Sequence, residues 1–171
     1  MQKDRGLGLI ELLVVLAILA IVLGLAAPSL HAQIIDQQRT ATLNQMLGAL
    51  QHTRSTAVYS REITSICSGT ASCQSSKVWS RNLLIFKDAN RNGTLDAHEH
   101  IEIQEKLAEG YTWYWGSFRN RPYLSYEGDG TTLASNGTMT LCRNGIPLNQ
   151  IVISLSGRVR HQAAPQGARC R

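Results

Sequence analysis

The sequence predicts an α+β protein with one long N-terminal helix followed by an antiparallel β-sheet. Two observations support this fold class. Residues up to Tyr59 repeat their apolar positions at helical spacing, and the rest of the chain consists of short β-prone runs separated by turn formers. A chain of 171 residues is long enough for one domain with a modest hydrophobic core.

The helix is expected to run from about Leu7 to Tyr59. Residues 7–27 are apolar apart from Glu11, and these 21 residues would form about 31 Å of helix, the hydrocarbon thickness of a membrane. Pro28 lacks a backbone donor and is expected to bend the helix. The pattern then becomes amphipathic, with apolar residues at Ile35, Leu43, Met46, Leu47, Leu50, Ala57 and Val58. We therefore predict a membrane-spanning half, 7–28, and a second half, 29–60, that packs on the sheet.

Residues 61–171 are predicted to form a β-rich domain with a basic tail. The β-prone runs are ITSIC, VWSRNLLIF, HIEIQ, YTWYW, LSYEG, TMTLC, IVISLS and RVRH, and turn formers such as NRNG and RNGIP lie between them. The tail QAAPQGARCR has no periodic pattern and is expected to be irregular.

The charge is distributed unevenly. All 12 acidic residues precede Gly130, and the net charge of +5 comes from five arginines beyond it. These residues are Arg143, Arg158, Arg160, Arg169 and Arg171. Such asymmetry indicates a polyanionic partner.

The four cysteines are Cys67, Cys73, Cys142 and Cys170, and their spacing fits no zinc site. Outside the cytoplasm they would form two disulfides, for which the sequence alone allows three pairings. We predict Cys67–Cys73, which closes a short loop, and Cys142–Cys170, which ties the tail to a strand. The second disulfide would hold Arg169 and Arg171 near Arg158.

The N-terminus differs from an ordinary signal peptide, because the charged leader MQKDRG is short and the apolar stretch lacks a small-residue cleavage site. Gly6, the following LGLIE and the apolar helix with Pro28 resemble the class III signal of type IV prepilins and type II secretion pseudopilins. The chain departs from the family's usual residues at Leu7, where phenylalanine is common, and at Gly8, where Ser or Thr is common.

The resemblance implies processing and assembly. A prepilin peptidase and N-methyltransferase would cut the leader, 1–6, after Gly6 and methylate Leu7. Glu11 would then pair with the N-terminal amine of a neighbouring pilin subunit, since each charge alone is unfavourable in an apolar bundle. The implied location is the bacterial inner membrane, with one span and a periplasmic C-terminal domain, and a pilus filament after assembly.

The C-terminal part is similar to the domain shared by the H-type secretion pseudopilin and the FimT/FimU minor pilins. In the FimT branch, a G-R-x-R motif belongs to DNA binding in natural transformation, and Gly157, Arg158 and Arg160 match it. In an extended chain these two arginines would lie about 6.6 Å apart on one side. DNA is therefore the expected partner, with Arg143, Arg169 and Arg171 in support. Two alternatives are a solvated edge strand and a structural pseudopilin with no nucleic-acid role.

The segment DANRNGTLDAHE matches the calcium-loop template, with possible ligands Asp88, Asn90, Asn92, Asp96 and Glu99. EF-hand loops join two helices, however, and this one joins two predicted strands. The alternative is a hairpin loop whose Asp and Asn side chains build turns.

The aromatic segment YTWYWGSFRNRPYLSY alternates Tyr111, Trp113 and Trp115 on one strand face, which favours core packing over stacking on bases. No P-loop, paired-carboxylate site or nucleophile with a base is visible, so we expect no enzyme and, calcium aside, no cofactor.

Overall fold

The computed structural model describes residues 8–132 and 134–171, apart from the side chains of 25–29 and 31. Helix α1 spans Leu9–Ser60 and is continuous through position 28. The strands of the described part are β1 Thr64–Ser68, β2 Val78–Trp79, β3 Asn82–Lys87, β4 Ile101–Lys106, β5 Thr112–Ser117, β6 Tyr123–Tyr126, β7 Gly137–Arg143, β8 Ile146–Ile153 and β9 Val159–Ala163. The α+β prediction is confirmed.

The chain divides into two compact units, the first ending at Ala41 and the second comprising Thr42–Arg171. The last part of α1 therefore belongs to the same unit as the strands.

In the first unit, the large apolar side chains from Leu9 to Leu23 are 49–79% exposed. In the part of the chain that the structure describes, no helix combines the length and apolar character needed to cross a membrane. Gly6, Leu7 and the side chains of 25–29 lie outside that part, so the span at 7–28 stays a prediction.

In the second unit, α1 supplies one side of the core. Leu43, Met46, Leu50 and Ala57 are buried, as their helical spacing predicts. The helical spacing also places Val58 on this face, but its side chain is 47% exposed.

The strands form two antiparallel sheets, where the sequence predicted one. The first has the order β4-β3-β1-β6 and the second the order β2-β5-β7-β8-β9. The run VWSRNLLIF is divided between them, because β2 pairs with β5 while β3 pairs with β1 and β4. Trp79, Trp113 and Trp115 are buried in the common core with the apolar face of α1.

The structure contains the disulfides Cys67–Cys73 and Cys142–Cys170, the same pairing that the sequence predicts. The first closes a loop after β1. The second joins β7 to the tail beyond β9, which has no helix or strand after Ala163.

Candidate nucleic-acid interface

The turn between β8 and β9 positions the first arginine of the predicted site. The backbone N–H of Ser154 donates to the carbonyl of Arg158 at 3.0 Å, and the N–H of Gly157 donates to the carbonyl of Ser154 at 2.9 Å. Gly157 has a φ of 75°, which a residue with a side chain adopts only with strain. The glycine of the G-R-x-R sequence is therefore needed for the shape of this turn.

Helix α1 holds the turn in place through Arg54. Its Nε donates to the carbonyl of Gly130 at 3.0 Å, and its Nη2 donates to the carbonyl of Ser156 at 3.2 Å. A Cβ at Gly157 would lie 2.0 Å from the same Gly130 carbonyl oxygen. Arg54 is not among the residues predicted from the sequence, and no local pattern identifies it, because its partners lie 76 and 102 residues further along the chain.

A groove of about 720 Å³ lies between this part of α1 and the start of β9. Arg54 and Val58 line it from the helix, and Arg158 and His161 line it from the strand side. It is open to solvent beside the edge strand of the larger sheet.

Asp129 also lines the groove. Its carboxylate accepts hydrogen bonds from the backbone N–H of Thr131 at 2.8 Å and from the Thr131 hydroxyl at 2.7 Å. These two bonds hold the pKa of Asp129 below its ordinary value, so the carboxylate is ionised at neutral pH. The segment from Gly130 onward contains no acid, but the fold brings the preceding aspartate to the groove that Arg158 also lines.

Arg160 lies within β9 and pairs with Val152 of β8. Arg158 lies one residue before β9, outside the extended strand. It lines the groove, and Arg160 does not. The prediction that the side chains of Arg158 and Arg160 point the same way requires an extended strand through both residues. Strand β9 begins only after Arg158, so this requirement is not met.

The other three arginines lie at the level of the start of β8, at the opposite end of this strand from Arg158. They are Arg143 at the end of β7, and Arg169 and Arg171 in the tail. Cys142 pairs with Pro147 at the start of β8, whereas Val159 pairs with Ile153 at its end. Six residues of strand separate these two levels, or about 20 Å at about 3.3 Å per residue. The disulfide at Cys142 therefore holds the tail at the opposite end from Arg158, and the expected proximity to Arg158 is wrong.

The structure thus places the five arginines in two groups, at the levels of the two ends of β8. We call the set Arg143, Arg158, Arg160, Arg169 and Arg171 the arginine track. All of these side chains are exposed except that of Arg143, which is half-buried. The guanidinium carbon of Arg143 lies 5.2 Å from the centre of the Tyr111 ring, and its Nη1 donates to the Tyr111 hydroxyl at 3.4 Å. The ion pairs found within residues 8–132 and 134–171 include none of these arginines.

The loop from Asp88 to Glu99 joins β3 to β4, as predicted, and closes on its own hydrogen bonds. The buried Asp88 carboxylate accepts from the N–H groups of Asn92 and Gly93 at 3.0 and 2.9 Å and from the Ser65 hydroxyl at 2.6 Å.

The remaining calcium-ligand candidates are used in the same way. Asp96 accepts from the side-chain amides of Asn90 and Asn92, and Glu99 accepts from the N–H groups of Ala89 and Asp96. Among the residues that the structure describes, no cluster of three or more His, Cys, Asp or Glu side chains is arranged to hold a metal. This geometry favours the turn-building alternative for the loop.

Tyr111, Trp113 and Trp115 are buried, as core packing requires, and Phe118 is 76% exposed. Glu11 lies in the first turn of α1 with an exposed side chain. The processing residues Gly6 and Leu7 lie outside the described residues.

The fold defined by these elements is that of the type IV pilins. It is similar to two crystal structures of the type IV minor pilin FimU from Pseudomonas aeruginosa strain PAO1, in space groups P65 and P21. In each comparison the TM-score is 0.57 and the identity 22%. The matches cover 74% and 77% of this chain and 97% and 92% of the FimU chains.

The chain belongs to the family described as type II transport protein GspH, whose model matches residues 42–157. The prokaryotic N-terminal methylation motif matches residues 1–27. None of the curated proteins compared matches the chain. Family and fold identify a pilin-like structural protein, either a minor type IV pilin or a GspH-like pseudopilin, and the motif implies N-terminal processing and assembly with other pilins.

Proposed function

We propose that this protein is a minor pilin that binds DNA along the arginine track and acts in DNA uptake during natural transformation. The observation that carries the proposal is the set of five exposed or half-buried arginines on β7, at β9 and in the disulfide-bound tail, in a segment without acidic residues. Guanidinium groups bind phosphate through paired N–H donors, and exposed groups without a carboxylate partner are available for such contacts.

The dimensions of the track suit a DNA strand. Its two ends lie about 20 Å apart, and phosphates follow one another at about 3.4 Å of helix axis along each strand of a duplex. A duplex lying parallel to the track would therefore present about six base pairs over its length. Contacts to phosphates carry no sequence information, so binding is expected to depend little on sequence.

Asp129 is expected to weaken phosphate binding at the end of the track that lines the groove. Its ionised carboxylate repels phosphate and attracts Arg158, so it weakens the contact that Arg158 can make. We therefore assign the phosphate contacts first to Arg160 and the tail arginines, with Arg158 contributing less than its position in the motif suggests.

The proposal includes the anchoring of the mature protein. The leader is cut between Gly6 and Leu7, residues 7–28 lie in the inner membrane, and Glu11 pairs with the amine of a neighbouring subunit. The methylation motif over residues 1–27 supports this part. Mass spectrometry of membrane-extracted protein should find a chain that starts at a methylated Leu7, and a mature chain that starts at Met1 would contradict it.

A specific observation favours a second candidate. The matching family is described by a type II transport protein, so the chain could instead be an H-type pseudopilin of a secretion filament with no nucleic-acid role. That candidate predicts no salt-sensitive DNA affinity and a gene among secretion genes rather than pilus genes.

A gel-shift assay with the detergent-solubilised full chain separates the two candidates. The wild type should retard duplex DNA at low salt, and Arg158→Gln with Arg160→Gln should weaken the binding. A matched control removes two positive charges elsewhere, Arg81→Gln with Lys106→Gln, and should bind like the wild type. Failure of the wild type to bind at low salt would favour the secretion pseudopilin.

A further inference from the structure

A separate pocket of about 330 Å³ collects basic side chains that do not belong to the arginine track. Arg91 comes from the loop between β3 and β4, and Arg119 and Arg121 come from the connection between β5 and β6. We call this site the arginine pocket. Its lining also includes Ser125, Glu127 and Ser135.

The charge of the pocket is only partly balanced. Arg91 Nη2 lies 3.3 Å from Glu127 Oε2, and the side chain of Glu127 is 16% exposed. The guanidinium carbon of Arg121 lies 5.6 Å from the centre of the Tyr123 ring. In the described part of the chain, neither Arg119 nor Arg121 forms an ion pair. Three cations and one carboxylate leave a formal excess of two positive charges, which favours an anion.

The hydroxyl proton of Ser125 is used in a hydrogen bond to Ser65. The Ser65 hydroxyl donates to Asp88 Oδ2 at 2.6 Å, and the hydroxyls of Ser65 and Ser125 lie 2.6 Å apart. Ser65 has one proton, which Asp88 accepts, so Ser125 must be the donor in the second bond. The donors left for an anion therefore include the guanidinium groups of Arg119 and Arg121.

We propose that the arginine pocket binds a phosphate group. Two guanidinium forks present up to four N–H donors to one ligand; a carboxylate could accept them, but it would bring only one negative charge to the pocket. A phosphate offers at least three acceptor oxygens and up to two negative charges, equal to the excess in the pocket. The proposal stands independently of DNA binding by the arginine track. The phosphate is either free or the terminal phosphate of a nucleic acid.

Isothermal titration of the detergent-solubilised full chain with inorganic phosphate tests the site, with chloride keeping the ionic strength constant. We expect a dissociation constant of about 1 mM, and a weakening of about tenfold in each of Arg119→Gln and Arg121→Gln. The exposed Arg81 lies outside the pocket, so Arg81→Gln should bind like the wild type. The proposal is overturned if the wild type gives no heat with phosphate, if both pocket variants bind like the wild type, or if acetate binds as tightly as phosphate.

A second titration identifies the source of the phosphate, with an oligonucleotide carrying or lacking a 5′-phosphate. Tighter binding of the phosphorylated form, lost in Arg119→Gln, assigns the pocket to a nucleic-acid end. Equal binding of the two forms assigns it to free phosphate. The Arg158→Gln, Arg160→Gln variant should leave phosphate binding unchanged, so a failure of the DNA proposal remains distinct from a failure of this one.

Discussion

At the scale of single residues, the β8–β9 turn depends on the space around one glycine. Gly157 and Gly145 both have positive φ, 75° and 76°. A Cβ at Gly157 would collide with the Gly130 carbonyl, whereas a Cβ at Gly145 would meet nothing within 4 Å. The G-R-x-R sequence therefore has a structural requirement at its glycine in addition to the charge of its arginines.

We predict that Gly157→Ala destabilises the protein more than Gly145→Ala does. Both variants place a side chain at positive φ, at about 1 kcal/mol each. Only Gly157→Ala must also displace the Gly130 carbonyl and the Arg54 hydrogen bonds, which adds at least about 1–2 kcal/mol. Urea denaturation of both variants measures the difference, and equal midpoints would contradict the account of the turn.

Tyr126 should make stability fall at high pH. Burial raises the pKa of this hydroxyl to about 12, and the charge of Arg54 offsets part of the increase. Because the folded pKa lies above the unfolded value of about 10, the contribution is complete below pH 10 and is lost as the pH rises towards 12.

The expected loss is about 1.4 kcal/mol between pH 8 and pH 11, and Tyr126→Phe should remove it. Urea denaturation at the two pH values measures this difference. Tyr59 is 94% exposed, so Tyr59→Phe is the control and should keep the pH dependence of the wild type. An unchanged pH dependence in Tyr126→Phe would contradict the assignment.

At the scale of elements, the strands were predictable from the sequence and their partners were not. Alternation and turn formers identify each run, but β2 and β3 enter different sheets although only Ser80 and Arg81 separate them. Sheet membership depends on pairing with distant strands, such as β2 with β5. The pairing of Cys142 of β7 with the start of β8 also depends on residues that are distant from the tail in sequence. This pairing separates the tail arginines from Arg158.

The Cys142–Cys170 disulfide should matter for both stability and DNA binding. Its cysteines are 28 residues apart, so its removal by Cys142→Ala and Cys170→Ala should cost about 3.6 kcal/mol in the chain-entropy account. The tail would also leave β7, and DNA affinity should fall because Arg169 and Arg171 lose their place on the track.

The Cys67–Cys73 disulfide provides the control. Its cysteines are 6 residues apart, and removing it should cost less, about 2.2 kcal/mol, and leave DNA affinity unchanged. Equal losses of DNA affinity in the two double variants would argue against a role for the tail arginines. Thermal denaturation and gel shifts on the same samples provide both readouts.

At the scale of the whole molecule, the sequence predicts which residues form the candidate site but not where they lie relative to one another. The five arginines are visible as a charge asymmetry in the sequence. Their division into two groups follows from the strand order β7-β8-β9, and the presence of Asp129 in the groove follows from the packing of its loop. Neither relationship has a local signal, because each joins residues that are distant in the chain.

The salt dependence of DNA binding tests the central claim, that the arginine track contacts phosphates, most directly. Three to five contacts give a slope of about −3 to −4.5 for the logarithm of the binding constant against the logarithm of salt concentration. Arg158→Gln with Arg160→Gln, and separately Arg169→Gln with Arg171→Gln, should each flatten the slope by up to about two units. Arg81→Gln with Lys106→Gln should leave it unchanged. A slope that stays at the wild-type value in both track variants would contradict the claim.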